Sequence, residues 1–280
     1  MKVTLGIDVG GSATKIAGLR EDGSVLSLLR ARAEDPLTSL YGALGNYLSG
    51  NRLSLGDVRR VALTGVGSSF EEGDIFHLPT DRVDEFSAIG TGALTLSGEA
   101  SAVVVSMGTG TAFLWAERGG RVRHLCGSGI GGGTLGGLCK KLVGLERFRR
   151  ITELAAQGDL SRVDLTIRDL TRNPAATLDP TLTAANYGNL ADDAAPADLA
   201  AGVVNLVLQA IGTMTVLACQ GCGAKTAVLT GSMTALPQAE ENFRNFERLY
   251  GVRYIIPENA AFATAIGAAL CSLRESPSDP

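Results

Sequence analysis

The sequence predicts an α/β protein in which one structural unit is used twice. Residues 2–8 and 102–107 are rich in small and β-branched residues, a composition typical of buried strands. Each run ends in a glycine-rich turn, and a second strand follows each turn immediately, at residues 14–19 and 112–117. A strand that follows its turn directly forms a hairpin, whereas a Rossmann unit crosses over through a helix.

The remaining elements alternate between helices and strands. Leucines at three- and four-residue steps predict a helix over 36–49. Acidic residues open a second predicted helix over 83–97. Residues 172–197 are predicted to be an irregular excursion, and the residues indicate no role for it. Further strands are predicted over 24–32, 58–64, 227–230 and 253–256, and further helices over 135–143, 146–156, 198–219 and 260–273.

Composition restricts the classes of function. The 280 residues are 45% hydrophobic and 19% charged, as in an ordinary globular enzyme, and the formal net charge is -4. Because proteins that bind polyanions are usually basic, nucleic acid is not expected as a partner. The sequence shows no charged leader and no apolar run of about 18 residues, so neither a signal peptide nor a membrane partner is expected. The five cysteines are scattered, which fits reduced thiols in a cytoplasm.

The first glycine-rich turn carries residues suited to phosphate and magnesium. Asp8 ends the first strand, and a carboxylate at a strand end can hold a hydrated Mg²⁺ ion. Gly10 and Gly11 let the backbone approach a phosphate closely, while Ser12 and Lys15 add a hydroxyl and a cation. An ordinary Gly-Gly hairpin turn accounts for the same residues when they are taken alone.

Two further glycine clusters follow. Gly108, Thr109 and Gly110 form a small, hydroxyl-bearing turn that suits phosphate or substrate, although a tight turn explains it equally well. Residues 127–133 hold five glycines, just ahead of a predicted helix. Since exposed amides at a helix N-terminus attract anions, we expect this loop to contact a ligand through Gly131, Gly132, Gly133 and Thr134.

A candidate base lies at the start of the helix over 83–97. Transfer of a phosphoryl group to an alcohol needs a carboxylate that orients or deprotonates the hydroxyl. Glu85 suits that role, and from residue chemistry alone Asp84 suits it equally. The helix dipole also favours acidic residues in a first turn, which explains both without catalysis.

Together, the two hairpins and the glycine-rich helix start resemble the superfamily of acetate and sugar kinases, heat-shock chaperones and actin. The resemblance implies a two-lobed, actin-like ATPase fold related to ribonuclease H. Its lobes are duplicated mixed β-sheet domains with ATP in the cleft between them. The expected lobes span residues 1–97 and 98–280, with the last helix packed back on the N-terminal lobe.

Within that superfamily the sequence resembles the type II pantothenate kinases, in their short bacterial form. The likeness covers nearly the whole chain. The segments that carry it are Gly6 to Ser12 with Lys15, Asp84 to Ala88, Gly108 to Thr111, Gly131 to Thr134, Gly231 with Ser232, and Glu258 to Phe262.

The family phosphorylates the terminal hydroxyl of pantothenate with MgATP, the first step toward coenzyme A. The resemblance implies that Glu85 is the base, that Asp8 coordinates Mg²⁺ directly or through water, and that Thr109 contacts pantothenate. The phosphates of ATP are implied to lie against the glycine turns, Ser12, Lys15, Gly231 and Ser232.

The resemblance also implies a homodimer, and coenzyme A or acyl-CoA as a candidate inhibitor. The apolar helix over 198–219 is a candidate interface element, and a plain core helix explains it equally well.

One position departs from the family pattern. The family usually has an arginine seven residues before the three glycines, where it contacts the pantothenate carboxylate. Here that position is His124, with Arg123 beside it. Histidine does not simply replace the bidentate grip of arginine. Either Arg123 binds this carboxylate after a shift of one residue, or the acceptor differs and is pantetheine or another small hydroxyl compound.

Related members of the superfamily suggest different functions. Sugar kinases usually place an aspartate base in an Asn-Asp pair, and this chain contains no such pair. ATP-dependent activators with this fold carry a cysteine-ligated iron–sulfur cluster at the dimer interface, and Cys126 lies just ahead of the third glycine loop. Such a cluster makes a protein brown. A catalytically inactive homologue is disfavoured because Asp8, Lys15 and Glu85 are intact.

Overall fold

The first part of the chain forms a five-stranded mixed sheet. The computed structural model describes residues 2–32, 35–171 and 180–274. The sheet has the order β3-β2-β1-β4-β5. Its elements and the two helices that accompany them are β1 (Val3–Val9), β2 (Ala13–Leu19), β3 (Val25–Arg32), α1 (Pro36–Gly50), β4 (Val58–Thr64), β5 (Thr80–Arg82) and α2 (Glu85–Ser97).

The second part forms another five-stranded sheet, with the order β12-β11-β6-β7-β8. Its first elements are β6 (Ser101–Met107), β7 (Thr111–Glu117), β8 (Arg123–Ser128), α3 (Gly132–Val143) and α4 (Phe148–Ala155). A small two-stranded pair follows, built from β9 (Leu165–Thr166), α5 (Ile167–Leu170) and β10 (Thr183–Ala185). The described chain ends with α6 (Pro196–Cys222), β11 (Thr226–Thr230), α7 (Pro237–Tyr250), β12 (Arg253–Ile255) and α8 (Ala263–Arg274).

The two sheets repeat one topology. In the first, β1, β2 and β3 are antiparallel neighbours, and β4 and β5 run parallel to β1. In the second, β6, β7 and β8 are antiparallel neighbours, and β11 and β12 run parallel to β6. The predicted hairpins and the predicted duplication of a mixed sheet are therefore confirmed.

β1 is central because both of its faces are covered, and all seven of its residues are buried. Leu5 and Ile7 point into a core shared with α1. Burial of a side chain of this size stabilises a fold by roughly 1.5–3 kcal/mol. On the other face, Gly6 lies against Ala265 of α8. Packing on both faces therefore fixes the position of the strand end at Asp8 and Val9.

Helices α2 and α8 each pack on the sheet that they do not directly follow in the chain: α2 follows the first sheet but packs on the second, and α8 follows the second sheet but packs on the first. Ile89 and Ala93 of α2 pack on the second sheet, whereas Ala265 of α8 packs on the first. The two helices also touch each other, since a Cβ atom built on Gly267 would lie 1.8 Å from the carbonyl oxygen of Ala88. Contacts therefore group α2 with the C-terminal sheet, although chain order puts it before residue 98. The lobe boundary remains a prediction.

α6 begins two residues earlier and ends three residues later than the apolar helix predicted over 198–219. By length and composition alone this 27-residue helix passes the test for a membrane span, contrary to the expectation that no run is long enough. Within the protein, however, 61% of its most apolar 18-residue stretch is buried. Val203, Val207 and Ile211 belong to the core of the second lobe. The same pattern is common in the core helices of globular proteins.

Six elements were not predicted, namely β5, β8, β9, α5, β10 and α7. β5 has only three residues, β8 is largely exposed, and α7 is rich in charged and amide side chains. The helical signal in α7 was nevertheless present, because Ala239, Phe243 and Phe246 form a buried stripe at three- and four-residue steps. Of the predicted excursion over 172–197, residues 172–179 lie outside the described residues, and the remainder contains β10 and the first two residues of α6.

Candidate active site

One cleft between the two sheets collects most of the residues that the sequence singles out. Its volume is about 330 Å³, and both glycine-rich hairpin turns line it. A larger cavity of about 570 Å³ lies beside α7 and β12, and none of the predicted residues line it. We assign the site by its chemistry rather than by size. The predicted residues in the cleft are Asp8, Gly10, Gly11, Ser12, Lys15, Glu85, Gly108, Thr109, Gly110, Gly231 and Ser232.

Asp8 and Lys15 form an ion pair in this cleft. Lys15 on β2 is the register partner of Asp8 on β1, so both side chains project from the same face of the sheet. Lys15 Nζ donates to Asp8 Oδ2 at 3.4 Å, and the side chains are only 10% and 8% exposed. Burial raises the pKa of Asp8 above its ordinary value, and the charge of Lys15 partly offsets this effect. The chemistry of a buried carboxylate beside phosphate-binding turns fits a hydrated Mg²⁺ ion.

Gly65 lets the turn after β4 approach Asp8. Its φ of +89° is one that residues with a side chain rarely adopt. A Cβ atom at this position would lie 2.7 Å from Asp8 Oδ1 and 2.7 Å from the carbonyl oxygen of Val9. Any other residue would therefore displace the backbone or the carboxylate.

The first and second glycine turns face each other across the cleft. A Cβ atom built on Gly11 would lie 3.8 Å from Thr109 Oγ1. The Thr109 hydroxyl is thus close to the turn that follows Asp8. This arrangement suits a ligand whose phosphates lie between the two turns.

The third glycine cluster supports the second turn. α3 begins at Gly132, three residues earlier than predicted. The amides of Gly132 and Gly133 donate to the carbonyl oxygens of Gly108 and Thr109, at 2.9 and 2.8 Å. The Thr134 hydroxyl donates to the Gly129 carbonyl oxygen at 2.8 Å. Gly131, Gly132, Gly133 and Thr134 are not among the residues that line the cleft. The helix-start amides thus hold the turn that carries Thr109.

Glu85 and Asp84 have different surroundings. Asp84 is the N-cap of α2, and its carboxylate accepts hydrogen bonds from Ser87 N at 2.8 Å and Ser87 Oγ at 2.9 Å. Glu85 is half-buried and lines the cleft. Burial raises the pKa of Glu85, the negative charges of Asp8 and Asp84 raise it further, and Lys15 opposes them. The hydrogen bonds that cap α2 therefore occupy the Asp84 carboxylate, whereas of these two residues only Glu85 lines the cleft.

His124 and Arg123 project from opposite faces of β8. Arg123 pairs with Trp115 and contacts α6, where its guanidinium donates to Cys222 Sγ at 3.7 Å. His124 lies on the face toward α2 and stacks on Phe86, with ring centroids 4.6 Å apart. The structure therefore does not bring Arg123 into the cleft. It puts His124 beside the residue that follows Glu85.

The turn after β11 and the start of α8 close the cleft. The amide of Gly231 donates to the carbonyl oxygen of Ala260 at 3.0 Å, which holds Gly231 and Ser232 near the other turns. Thr264 of α8 lines the cleft as well, and so does Ser128 of β8. Ser128 belongs to the glycine-rich run over 127–133, which was expected to contact a ligand, although through Gly131 to Thr134. Sequence interpretation missed Thr264, because it lies in no glycine-rich turn and only the packing of α8 brings it here.

The chain matches one family over more than half of its length. A family model described as Fumble matches residues 100–242. A type II pantothenate kinase of Oceanobacillus iheyensis is 27% identical over 279 residues, which cover 96% of this chain and 99% of the relative.

Solved structures share the fold. The activator of the 2-hydroxyisocaproyl-CoA dehydratase from Clostridium difficile, with bound ADPNP, has a TM-score of 0.71 at 17% identity and covers 98% of this chain and 95% of its own. A ROK family glucokinase from Streptomyces griseus, in complex with glucose and AMPPNP, has a TM-score of 0.63 at 15% identity, with coverages of 96% and 98%. At these identities the likeness concerns the fold alone, and it confirms the predicted two-lobed, actin-like ATPase fold.

Proposed function

Because this chain belongs to the Fumble family, we propose that it is an ATP-dependent kinase that phosphorylates the terminal hydroxyl of pantothenate to 4′-phosphopantothenate, the first step of coenzyme A biosynthesis. One observation carries the proposal at the level of the site. The Glu85 carboxylate, the Asp8–Lys15 pair and the Thr109 hydroxyl line a single cleft of about 330 Å³.

Phosphoryl transfer relies mainly on positioning and charge. ATP is the proposed donor, with its phosphates between the turn at Gly10 and Gly11 and the turn at Thr109. Lys15 supplies a positive charge, and Ser12 and Ser232 supply hydroxyls. Gly131 to Thr134 act through the second turn, whose carbonyl oxygens accept hydrogen bonds from the first amides of α3.

Asp8 is the proposed ligand of Mg²⁺, directly or through water. When bound, Mg²⁺ offsets the charge of the phosphate oxygens. The proposal is supported by the position of Asp8, which is buried near the end of β1 and lies beside the Gly10–Gly11 turn. The positive charge of Lys15 opposes the rise in the pKa of Asp8 that burial causes.

Glu85 is the proposed base. Its position in the cleft allows the carboxylate to accept the proton of the acceptor hydroxyl while that oxygen attacks the terminal phosphorus of ATP and the bond from this phosphorus to the bridging oxygen breaks, which releases ADP. The raised pKa of Glu85 makes the ionised form a stronger base than an exposed glutamate. Thr109 is the proposed contact near the reacting end of pantothenate.

The distal end of the acceptor decides between two substrates. We propose His124, rather than Arg123, as the residue nearest to that end, since its ring stacks on Phe86 beside Glu85. A histidine at this position favours pantetheine as the second candidate acceptor, because pantetheine has no carboxylate for an arginine to bind.

An iron–sulfur activator and a sugar kinase have weaker support. Cys126, the candidate cluster ligand of an activator, is exposed on β8. A colourless purified protein would contradict the iron–sulfur activator, and a brown one would favour it. Glucose serves as the comparator for a sugar kinase.

The assembly and location are part of the same proposal. A homodimer is proposed through α6, where Leu217 is 61% exposed. Five free cysteines fit a reducing cytoplasm. Coenzyme A and its acyl thioesters are the proposed inhibitors, because they contain the product's pantothenate skeleton.

A coupled assay of ADP release tests the function. The purified protein is assayed with Mg²⁺ and ATP, alone and with pantothenate, pantetheine or glucose. Release that depends on pantothenate is the expected result. Release with pantetheine only would change the acceptor, and release with none of the three, by a protein that still binds ATP, would contradict the kinase.

A further inference from the structure

Thr64 carries a buried hydroxyl group without a partner. It is the last residue of β4 and is 0% exposed. Within the part of the chain that the structure describes, Thr64 Oγ1 has no hydrogen-bond partner. Since buried hydroxyls are nearly always hydrogen-bonded, this atom requires a partner that protein atoms do not supply.

The sheet places Thr64 beside Asp8. β1 and β4 are parallel, and Thr64 is the register partner of Asp8. Register partners on neighbouring strands project from the same face of a sheet. The Thr64 side chain therefore shares a face with the carboxylate that lines the cleft.

The helix places Glu85 on the other side of Thr64. Ala62, two residues before Thr64 and on the same face, packs against Ala88 of α2. Glu85 precedes Ala88 by three residues, so it lies on the same side of the helix, one turn nearer the cleft. β4 ends at the cleft and α2 begins there. Thr64 thus lies between β1, which carries Asp8 near its end, and the helix turn that carries Glu85.

A single water molecule can serve the polar groups of Thr64, Asp8 and Glu85. A buried water typically needs two to four polar partners. A hydroxyl both donates and accepts, whereas two ionised carboxylates only accept. A water between them can donate one hydrogen to each carboxylate and accept the hydrogen of Thr64.

We propose that Thr64 Oγ1 holds an ordered water between the carboxylates of Asp8 and Glu85, and that this water orients Glu85 for proton transfer. The inference rests on the proposed function in one respect, the role of Glu85 as base. Thr64 is a positioning residue, because it acts through the water and Glu85 and does not touch the substrate.

The chain contains a matched control. Thr14 on β2 is also 0% exposed and its hydroxyl also lacks a partner in the described residues. Its register partner is Val9, and Ile16, on the same face, belongs to the core with α1. Thr14 therefore faces away from both carboxylates. Replacing either threonine by valine therefore removes one buried hydroxyl that has no hydrogen-bond partner, and the two hydroxyls are equally buried.

Kinetics of Thr64→Val, Thr64→Ser and Thr14→Val test the proposal. We expect Thr64→Val to lower kcat roughly 10- to 100-fold, the scale of a misplaced catalytic group, while KM for ATP stays close to that of the wild type. Thr64→Ser keeps the hydroxyl and should recover most of the rate. Thr14→Val should keep the wild-type kcat. Equal losses in the two valine variants, or a serine variant as slow as Thr64→Val, would overturn the proposal.

A crystal structure gives a second readout that does not depend on the acceptor. The wild-type protein with bound nucleotide should show a water within hydrogen-bonding distance of Thr64 Oγ1, Asp8 and Glu85. The water should be absent from Thr64→Val. A wild-type site without this water would overturn the inference even if pantothenate is phosphorylated. A site with this water would support it even if pantothenate is not the acceptor.

Discussion

His124 lies face to face with Phe86, with ring planes 4° from parallel. Phe86 directly follows Glu85, so the stack ties the edge strand β8 to the helix turn that carries the proposed base. A Cβ atom built on Gly127, which lines the cleft, would lie 3.8 Å from His124 Nε2. The imidazole therefore stands at the rim of the cleft on the side of Glu85.

His124→Arg should strengthen the binding of a carboxylate-bearing acceptor. A charge-assisted hydrogen bond contributes about 1.5–3 kcal/mol, which corresponds to a KM for pantothenate lowered by about tenfold or more. The KM for pantetheine should not change. Arg123→Gln is the matched control and should leave both constants unchanged, because Arg123 contacts Cys222 on the opposite face. A rise in the pantothenate KM of Arg123→Gln alone would restore Arg123 as the carboxylate ligand.

Glu85→Gln should abolish turnover and keep nucleotide binding. A positioned base contributes roughly 10²- to 10⁴-fold, so kcat should fall by that factor. Binding of MgATP, measured by calorimetry, should persist. Asp84→Asn is the control, because asparagine caps a helix as well as aspartate does, and it should lower kcat far less than Glu85→Gln does. If Glu85→Gln kept more than about a tenth of the rate, Glu85 would not be the base.

The same substitution should stabilise the fold at neutral pH. The pKa of Glu85 is raised in the folded protein by burial and by Asp8 and Asp84, so the folded state holds this proton more tightly than the unfolded chain does. The contribution of Glu85 to stability therefore falls as pH rises through the window between the unfolded and folded pKa values. Glu85→Gln should melt at a higher temperature than wild type at pH 7. This difference should shrink as the pH falls through that window, and a constant difference would contradict the raised pKa.

Gly65→Ala should damage both stability and nucleotide binding. Gly98 provides the comparison, because its φ is also positive, at +77°, but a Cβ atom there would have open space. Gly98→Ala should cost only the backbone strain, about 1–2 kcal/mol of unfolding free energy. Gly65→Ala should cost more and should raise the KM for MgATP, since its Cβ atom would displace Asp8. Equal effects of the two substitutions on stability and on KM would show that Asp8 tolerates the added carbon.

Leu217→Arg should separate the proposed dimer. A charged side chain at a buried interface position is costly to desolvate, so light scattering after gel filtration should show a monomer of 28.9 kDa. Leu55→Arg, in the first lobe, replaces another exposed leucine and should leave the assembly unchanged. An unchanged mass for Leu217→Arg would exclude this part of α6 from the interface.

Local patterns predicted the hairpins and most elements to within one to three residues. β1 and β6 were recognisable because buried strands need small and β-branched side chains and because glycine turns end them. The same turns identified Asp8, Lys15 and Thr109. Neighbours along the chain were enough to recognise these features.

Sequence patterns alone could not predict the features that depend on tertiary packing. The choice of Glu85 over Asp84 requires knowing which carboxylate caps α2. The opposite directions of Arg123 and His124 depend on the register of β8, an exposed edge strand that was not predicted. The cleft position of Thr264 depends on α8 packing against β1 and β2, which lie more than 200 residues earlier in the chain.

The exchange of α2 and α8 sets the order in which the protein can be completed. A ribosome makes the chain from its N-terminus, so β1 to β5 emerge first. The face of β1 that carries Gly6 stays uncovered until α8 has been made, after the whole of the second sheet. The first sheet is thus the earliest part to be synthesised and the last to have both of its faces covered. Asp8 lies on the same face of β1 as Gly6, so we expect its carboxylate to reach its final burial only after α8 has been made.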